Sequence, residues 1–239
     1  MTGNGSRTYA YDAENRMIEY FPGAGALRYT FFYDYLGRCI ERKRTATNPS
    51  TGQIITQSLE NLIYDGTKLI GVTNSQATSL ANYYVWQPTS SGDIDILLWD
   101  NMYAYTASLN KNIMVRTYWN EWEGRVYTEI TGDYLPFGEN APGVAGDNRF
   151  NFSSEEYVAS TGLYHYLFRN YNAGHKRFTT RDPIEENGGV NLYAFVGNNP
   201  INRWDDWGFT DDECGYPRIL DNLHRCKTTC KLEHERVVL

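Results

Sequence analysis

The sequence contains no run of about 18 apolar residues, the length that a membrane-spanning helix requires. Met1 is not followed by the basic and then apolar residues of a signal peptide. Positive charge is scarce too, because 22 Lys and Arg residues stand against 29 Asp and Glu residues, a formal charge of -7. Nucleic acids are bound by basic surfaces. We therefore expect neither a membrane span nor a nucleic-acid partner.

Motifs of common enzyme classes are also missing. The chain has no phosphate loop, nucleophile elbow or dinucleotide fingerprint, so no cofactor is expected. The adjacent pairs Glu155-Glu156 and Glu185-Glu186 would point to opposite sides of an extended chain, and neither pair forms an acid and a base across one substrate. His165 lies in an aromatic run, and both it and His175 are interpreted as packed or surface histidines.

Aromatic residues are abundant. The 239 residues include 20 Tyr, 10 Phe and 6 Trp, or 15% aromatics, within a hydrophobic content of 41%. With a mean hydropathy of -0.57, this composition excludes a disordered low-complexity chain and a membrane protein. We expect a soluble, aromatic-lined β structure of one or two domains.

Four segments share a Tyr-Asp start or a related aromatic pattern followed by a turn. They are Tyr11-Asp-Ala-Glu-Asn-Arg-Met17, Tyr33-Asp-Tyr-Leu-Gly-Arg-Cys39, Tyr64-Asp-Gly-Thr-Lys-Leu69 and the divergent Tyr118-Trp-Asn-Glu-Trp-Glu-Gly-Arg-Val126. Each is predicted to be a hairpin, in which Asp12, Asp34 or Asp65 binds nearby backbone amides in an Asx-type turn. Because one such hairpin is marginal alone, the units must stack into a continuous sheet.

The turns of these units carry Asn15, Gly37 and Gly124, residues that tolerate a positive φ. A basic cluster follows the second turn at positions 38, 42, 43 and 44, and it is interpreted as a solvated strand end or loop. Further strands are predicted at 94–99, 113–118 and 125–130.

A turn-rich segment, residues 181–209, reads RDPIEENGGVNLYAFVGNNPINRWDDWGF. It places Asp182 before a proline and Asp205 three residues before Gly208. Its pattern strongly resembles the Rhs repeat-associated core, the end of Rhs/YD-repeat proteins. The likeness extends upstream through Tyr134-Leu-Pro-Phe-Gly138, Phe152-Ser-Ser-Glu-Glu-Tyr157, Thr161-Gly-Leu-Tyr164 and Phe168-Arg-Asn-Tyr171.

The resemblance implies a mainly β fold, in which YD-repeat antiparallel hairpins form part of a β shell with an irregular C-terminal plug and a short helical tail. The implied divisions are a hairpin region at 1–133, an Rhs-associated core at 134–209 and a variable tail at 210–239. The implied partners are the upstream YD-repeat shell and the chain's own C-terminal segment or an effector. Because the first Tyr-Asp unit already begins at Tyr11, we expect a fragment or a short member of a longer class.

Two carboxylates within about 3 to 5 Å of each other can share a proton and act as base and acid in amide hydrolysis. The resemblance implies that Asp182 and Asp205 form such a dyad, with Arg181 as a neighbouring charge, and that the chain cleaves itself between Phe209 and Thr210. The usual family pattern has a proline and a leucine where this chain has Asp206 and Phe209. The alternative is that both aspartates cap turns or pair with Arg181 and Arg203.

The tail is compatible with an amphipathic helix from Pro217 onward. A helix would place Cys226, Cys230 and His234 on roughly one face as weak candidates for a zinc site. No metal is expected, because the spacing is not that of a standard finger. A disulfide is a second possibility, since Cys214 and Cys39 make the cysteine count even, and unpaired thiols are a third.

Three functions stay open from the sequence. The first is a shell scaffold that encloses or presents its C-terminal segment and cleaves itself after Phe209. The second is a non-catalytic interaction module, secreted or at the cell surface as the resemblance implies. The third is an orphan fragment of a toxin-delivery protein that has lost its effector.

Overall fold

The computed structural model describes residues 7–23, 25–74, 80–88, 94–144, 148–205 and 207–209, which form two antiparallel sheets. The eleven strands of the first, the hairpin sheet, are β1 Thr8–Tyr11, β2 Met17–Phe21, β3 Arg28–Tyr33, β4 Cys39–Thr47, β5 Ile54–Asp65, β6 Lys68–Asn74, β7 Leu80–Pro88, β8 Ile94–Asp100, β9 Ala104–Ala107, β10 Ile113–Asn120 and β11 Arg125–Ile130. The core sheet has strands β12 Glu156–Val158, β13 Leu163–His165, β14 Asn170–Asn172 and β15 Arg177–Phe178.

Three short 3-10 helices complete the described elements, at Phe152–Ser154, Glu185–Gly188 and Val196–Asn198. None of the helices among the described residues has the length and apolar character needed to cross a membrane. The two in the 181–209 segment are separated by turns, as the sequence predicts for this irregular stretch.

The strands of the hairpin sheet lie in chain order, so each strand pairs with the next one along the sequence. The two turns at Asp12 and Asp34 have the predicted Asx geometry. Asp12 Oδ1 accepts the Arg16 amide at 2.9 Å, and Asp34 Oδ1 accepts the Arg38 amide at 3.0 Å. Asp65 instead ends β5 opposite Lys68, across a tight turn of two residues. The predicted Asx turn is therefore wrong at this third position.

In the first two Tyr-Asp units, the arginine links its turn to the next unit, a role that the sequence analysis missed. Arg16 Nε donates to Asp12 Oδ2 at 2.8 Å, and its Nη1 reaches the Asp34 carbonyl oxygen at 3.4 Å. Arg38 binds Asp34 in the same way, and its Nη1 donates to the Gly66 carbonyl oxygen at 2.7 Å. The repeated arginines therefore contribute directly to the stacking of one unit on the next.

Positive φ angles occur at the predicted turn residues, with 61° at Asn15, 82° at Gly37 and 64° at Gly124. The predicted pair of strands around Gly124 is also confirmed, because Tyr118 of β10 faces Tyr127 of β11. Turn chemistry therefore predicted these positive φ angles and this strand pair correctly.

Within the basic cluster after the second turn, Arg44 is exposed, but Arg42 is not at the solvated strand end or loop that the sequence suggested. Arg42 lies within β4, and its Nη1 donates to Glu156 Oε1 of the core sheet at 2.5 Å. Arg149 Nε donates to the same oxygen at 2.5 Å. Burial alone would raise the pKa of Glu156, but Arg149 and Arg42 hold it well below its usual range. A buried ion cluster thus joins the two sheets.

Apolar clusters also span the two sheets. Leu163 of β13 packs with Met17, Tyr20 and Phe31 of the hairpin sheet, and Phe150 packs in a second cluster against strands β5 to β8. A third cluster is mainly aromatic and lies within residues 152–196, where Tyr171, Phe178 and Phe195 are almost fully buried. This third cluster is the base on which the 181–209 segment rests.

The predicted helix from Pro217 and the candidates Cys214, Cys226, Cys230 and His234 lie outside the described residues, as do Asp206 and Thr210. Cys39 is a buried free thiol, and burial raises its pKa. In the part of the chain that the structure describes, no group of three or more His, Cys, Asp or Glu side chains could hold a metal ion.

Candidate functional site

Asp182 and Asp205 meet at a third residue, Arg169. Arg169 Nη2 lies 2.9 Å from Asp182 Oδ2 and 3.8 Å from Asp205 Oδ2. The exposed fractions are 4% for Arg169, 6% for Asp182 and 3% for Asp205. Buried charges are tolerated only when they are paired and hydrogen-bonded, so the three groups form one mutually dependent set.

Hydrogen bonds with nearby backbone groups fix Asp182 at the start of the 181–209 segment. Its amide donates to the Leu192 carbonyl oxygen at 2.9 Å, and its Oδ1 accepts the Ile184 amide at 3.0 Å. Pro183 lies between these two contacts and restricts the local backbone. With Oδ1 engaged in the turn, Oδ2 is left to face Arg169.

Asp205 holds the backbone that leads to the predicted cleavage point. Its Oδ1 accepts the amides of Trp207 at 3.0 Å, Gly208 at 2.6 Å and Phe209 at 3.2 Å. Gly208 has a φ of 81°, and a Cβ atom there would lie 3.0 Å from Cβ of Tyr166. The position needs glycine on both counts, which gives a physical reason for the spacing of Asp205 and Gly208.

Residues 168 and 169 bind the same stretch from the other side. The Phe168 amide donates to the Trp207 carbonyl oxygen at 3.1 Å, and Arg169 Nε donates to the carbonyl oxygen of Gly208. The ring of Phe209 stacks on that of Phe168, with centroids 4.1 Å apart and planes at 18°. The three residues before the predicted cleavage point are therefore fixed through both backbone and side chain.

Asp182 and the carbonyl group of Phe209 both lie beside Gly188. A Cβ atom built on Gly188 would lie 2.7 Å from Asp182 Oδ2 and 3.0 Å from the Phe209 carbonyl oxygen. Since both oxygens lie within 3.0 Å of one point, they are less than twice that distance apart. One carboxylate thus faces the carbonyl side of Phe209, while the other binds the amides leading to it.

The electrostatics follow from burial. Burial raises the pKa of Asp205 to about 6, against the opposing effects of Arg169 and the three amides. Burial also raises the pKa of Asp182, and Arg169 again opposes the shift. The Arg169 pKa is lowered by burial, although the two aspartates counteract this. Both carboxyl groups therefore hold a proton more readily than a solvated aspartate does.

A cavity of about 190 Å³ lies beside two of the charged groups, Arg169 and Asp205. Arg169 and Asp205 line it together with Phe209 and Gly188. A polar cavity of this size can hold water molecules, so the site has room for the second reactant of a hydrolysis.

The structure and the sequence analysis differ on which arginine is central to the site. Arg181 is exposed, as is Arg203, and the buried guanidinium between the aspartates belongs to Arg169. Arg169 stands in the segment Phe168-Arg-Asn-Tyr171, which carried the resemblance but was given no role. The available signal was an arginine inside a run of aromatic residues, where an unpaired charge would be costly.

No family model matches the chain. Among curated proteins it is 24% identical over 226 residues to double-stranded DNA deaminase toxin A of Burkholderia cenocepacia (strain H111), covering 86% of this chain and 16% of that protein. It is 37% identical over 75 residues to toxin subunit YenC1 of Yersinia entomophaga, covering 29% of this chain and 8% of the subunit. The chain therefore spans no more than 16% of the length of either toxin.

Among solved structures, the chain resembles part of a Photorhabdus luminescens Tc holotoxin pore that carries a TccC3 mutation, with a TM-score of 0.60 and 18% identity over 89% of this chain and 10% of that one. At this identity the likeness shows the fold. It confirms the predicted fold class, a mainly antiparallel β structure that matches the β shell of Tc toxins.

Proposed function

We propose that this chain forms the closing part of an Rhs/YD-repeat β shell, which encloses or presents the segment after Phe209, and that it cleaves its own chain between Phe209 and Thr210. The observation that carries the proposal is the meeting of Asp182, Asp205 and Arg169 around the backbone of residues 207–209. A role in toxin delivery is supported by the similarity to toxin proteins and by the shared fold.

The proposed reaction needs one proton shared between the two carboxyl groups. The ionised group removes a proton from water in the adjacent cavity, and the water oxygen bonds to the carbonyl carbon of Phe209. The protonated group donates to the carbonyl oxygen of Phe209, which borders Gly188 as Asp182 Oδ2 does. When the tetrahedral intermediate breaks down, the bond to the Thr210 nitrogen breaks. The nitrogen takes up the proton that the base removed from water and leaves as an amine, while the proton on the former carbonyl oxygen returns to the carboxylate that gave it.

Arg169 has two parts in this scheme. Its charge keeps the two buried carboxyl groups together, since either one alone in an apolar site would favour its neutral form. Its Nε also holds the Gly208 carbonyl oxygen, and its Nη1 donates to that of Leu192 at 3.3 Å. The arginine therefore aligns the scissile stretch with both carboxylates, which lowers the entropic cost of reaching the transition state.

The division of the chain follows the same proposal. Residues 134–209 supply the core that carries the site, residues 1–133 supply the hairpins, and residues 210–239 are the released tail. In the described part of the hairpin sheet, β1 is at one edge and has β2 as its neighbour. Further hairpins of the same kind would extend the shell at that edge, because an open strand edge favours pairing.

The test is a comparison of intact masses after purification. The unsubstituted chain should yield a fragment that begins at Thr210, whereas Asp182→Asn and Asp205→Asn should stay whole. Glu186→Gln is the matched control, because this exposed carboxylate lies in the same segment only four positions from Asp182. A whole unsubstituted chain, or a fragment that persists in Asp182→Asn, would refute the self-cleavage.

A second candidate function is a non-catalytic scaffold or interaction module. It is favoured by one observation, that Asp205 Oδ1 already accepts three amides and so acts as a structural cap of the turn. In that case Asp205→Asn would lower the unfolding temperature and no variant would release a fragment. The same mass comparison separates the two functions.

A further inference from the structure

Phe209 is held in an aromatic site of its own. Its exposed fraction is 5%, and its ring stacks face to face on Phe168 with a centroid distance of 4.1 Å. Phe168 is itself half-buried. Flat rings in this arrangement contact each other over most of their area, which neither a branched aliphatic nor a small side chain reproduces.

The contact is coupled to the backbone that the proposed reaction needs. The Phe168 amide holds the Trp207 carbonyl oxygen at 3.1 Å, and the next residue is Arg169, which binds both aspartates. A shift of the Phe168 ring would therefore move the anchor of Phe209 and the backbone beside the two carboxylates together. In reactions that depend on close alignment, a misplacement of about 1 Å can cost about 100-fold in rate.

Phe168 also lies close to a turn of the hairpin sheet. A Cβ atom added to Gly37 would lie 3.2 Å from Cε1 and 3.3 Å from Cδ1 of Phe168. Gly37 belongs to the turn between β3 and β4, which is held by Asp34. The ring of Phe168 thus lies against both a repeat turn and Phe209.

We infer that Phe168 is a specificity-determining and positioning residue, which selects an aromatic side chain immediately before the cleaved bond and is itself set by the Gly37 turn. This inference rests on the proposed self-cleavage. It accounts for the phenylalanine that this chain has at the position where the resembling family has leucine. The substrate class is a chain segment that ends in an aromatic residue before the cleaved bond. Phe168 and the Gly37 turn of the hairpin sheet hold that segment in place.

The test measures the rate of release of the fragment that begins at Thr210, and the ratio of that rate with Phe and with Leu at position 209. With Phe168 unchanged, Phe209→Leu should slow release by about tenfold or more. Phe168→Ala should slow release and bring the ratio close to one. Phe168→Tyr should keep both rate and ratio, because it retains the ring.

Phe32→Ala is the matched control, since it removes a ring from the same hairpin at a site with 45% exposure. It should leave the ratio unchanged, and so should any variant that merely destabilises the fold. A Phe168→Ala chain that keeps the preference for Phe209 would overturn the inference while the self-cleavage stands. If the unsubstituted chain releases no fragment, the proposed function itself fails, and the inference fails with it.

Discussion

The turns of the hairpin sheet and the candidate site use the same residue types over different distances along the chain. In the turns, Asp34 binds the amides of residues two and four positions ahead. In the site, Arg169 binds carbonyl oxygens 23 and 39 positions away, at Leu192 and Gly208. The turns are also partly solvated, whereas all three charged groups of the site are buried. An Asp and Arg pair is therefore a local support in one region and a tertiary junction in the other.

The largest expected effect is the loss of Arg169. Arg169→Met leaves two buried carboxyl groups without their cation, and breaking such a set costs about 3 to 5 kcal/mol of unfolding free energy. Urea unfolding at pH 7 measures this loss. Arg169→Lys keeps the charge but not the fork of donors, so it should recover part of the stability and little of the cleavage. Equal stability of all three chains would show that the junction is not needed for the fold.

The next effect is a pH dependence of opposite sign in two buried carboxyl groups. The raised pKa of Asp205 means that the folded chain binds a proton more readily than the unfolded one. Its contribution to stability is therefore full at pH values below about 4 and is lost as the pH rises through about 6, a change of about 2 to 3 kcal/mol.

Glu156 behaves in the reverse way, because Arg149 and Arg42 hold its pKa down against the effect of burial. Its stabilisation is present above the unfolded pKa of about 4.3 and is lost as the pH falls through the lower folded value. Comparing Asp205→Asn and Glu156→Gln with the unsubstituted chain isolates the two contributions, provided that the measurements run from about pH 2, where Glu156 loses its effect, to about pH 8. If Asp205→Asn left the pH dependence of the unfolding free energy above pH 4 unchanged, the proposed difference between the two buried carboxyl groups would be wrong. Cleavage should also slow as the pH rises above about 6, since the shared proton is then lost.

A smaller effect is expected from filling the space over Gly188. The Cβ atom of Gly188→Ala would lie too close to Asp182 Oδ2 and to the Phe209 carbonyl oxygen. We expect release of the Thr210 fragment to slow by about tenfold, or about 1.4 kcal/mol in the barrier. Gly174→Ala is the control, because its Cβ would make only an ordinary contact at 3.4 Å with Asn172. Equal rates in the two variants would separate Gly188 from the reacting groups.

The contrast in range also explains what the sequence could and could not predict. Asp12, Asn15 and Gly37 act on residues close in the chain, so composition and turn chemistry were enough to predict their hairpins. Arg42 was misassigned because its partner Glu156 lies 114 positions away.

The same limit applied at the site. Asp182 and Asp205 were singled out through a resemblance, and only the fold shows that they converge. Gly188 carried no local signal, and the aromatic neighbours of Arg169 did not identify its partners, because each residue acts through groups that only tertiary structure brings near. The residue types at these two positions become informative only when their tertiary contacts are known.

The smallest effect is expected where the interactions are local. Asp34→Ala removes an Asx turn and a partly exposed pair with Arg38, which together should cost about 1 to 2 kcal/mol in urea unfolding. The turn also supports Gly37 and, through it, Phe168. A slowing of cleavage by less than tenfold is therefore expected alongside the loss of stability. Asp12→Ala is the matched variant one repeat earlier, and it should cost similar stability without slowing cleavage. If both variants slowed cleavage equally, general loosening of the hairpin sheet would be the cause, and the second turn would have no special link to the site.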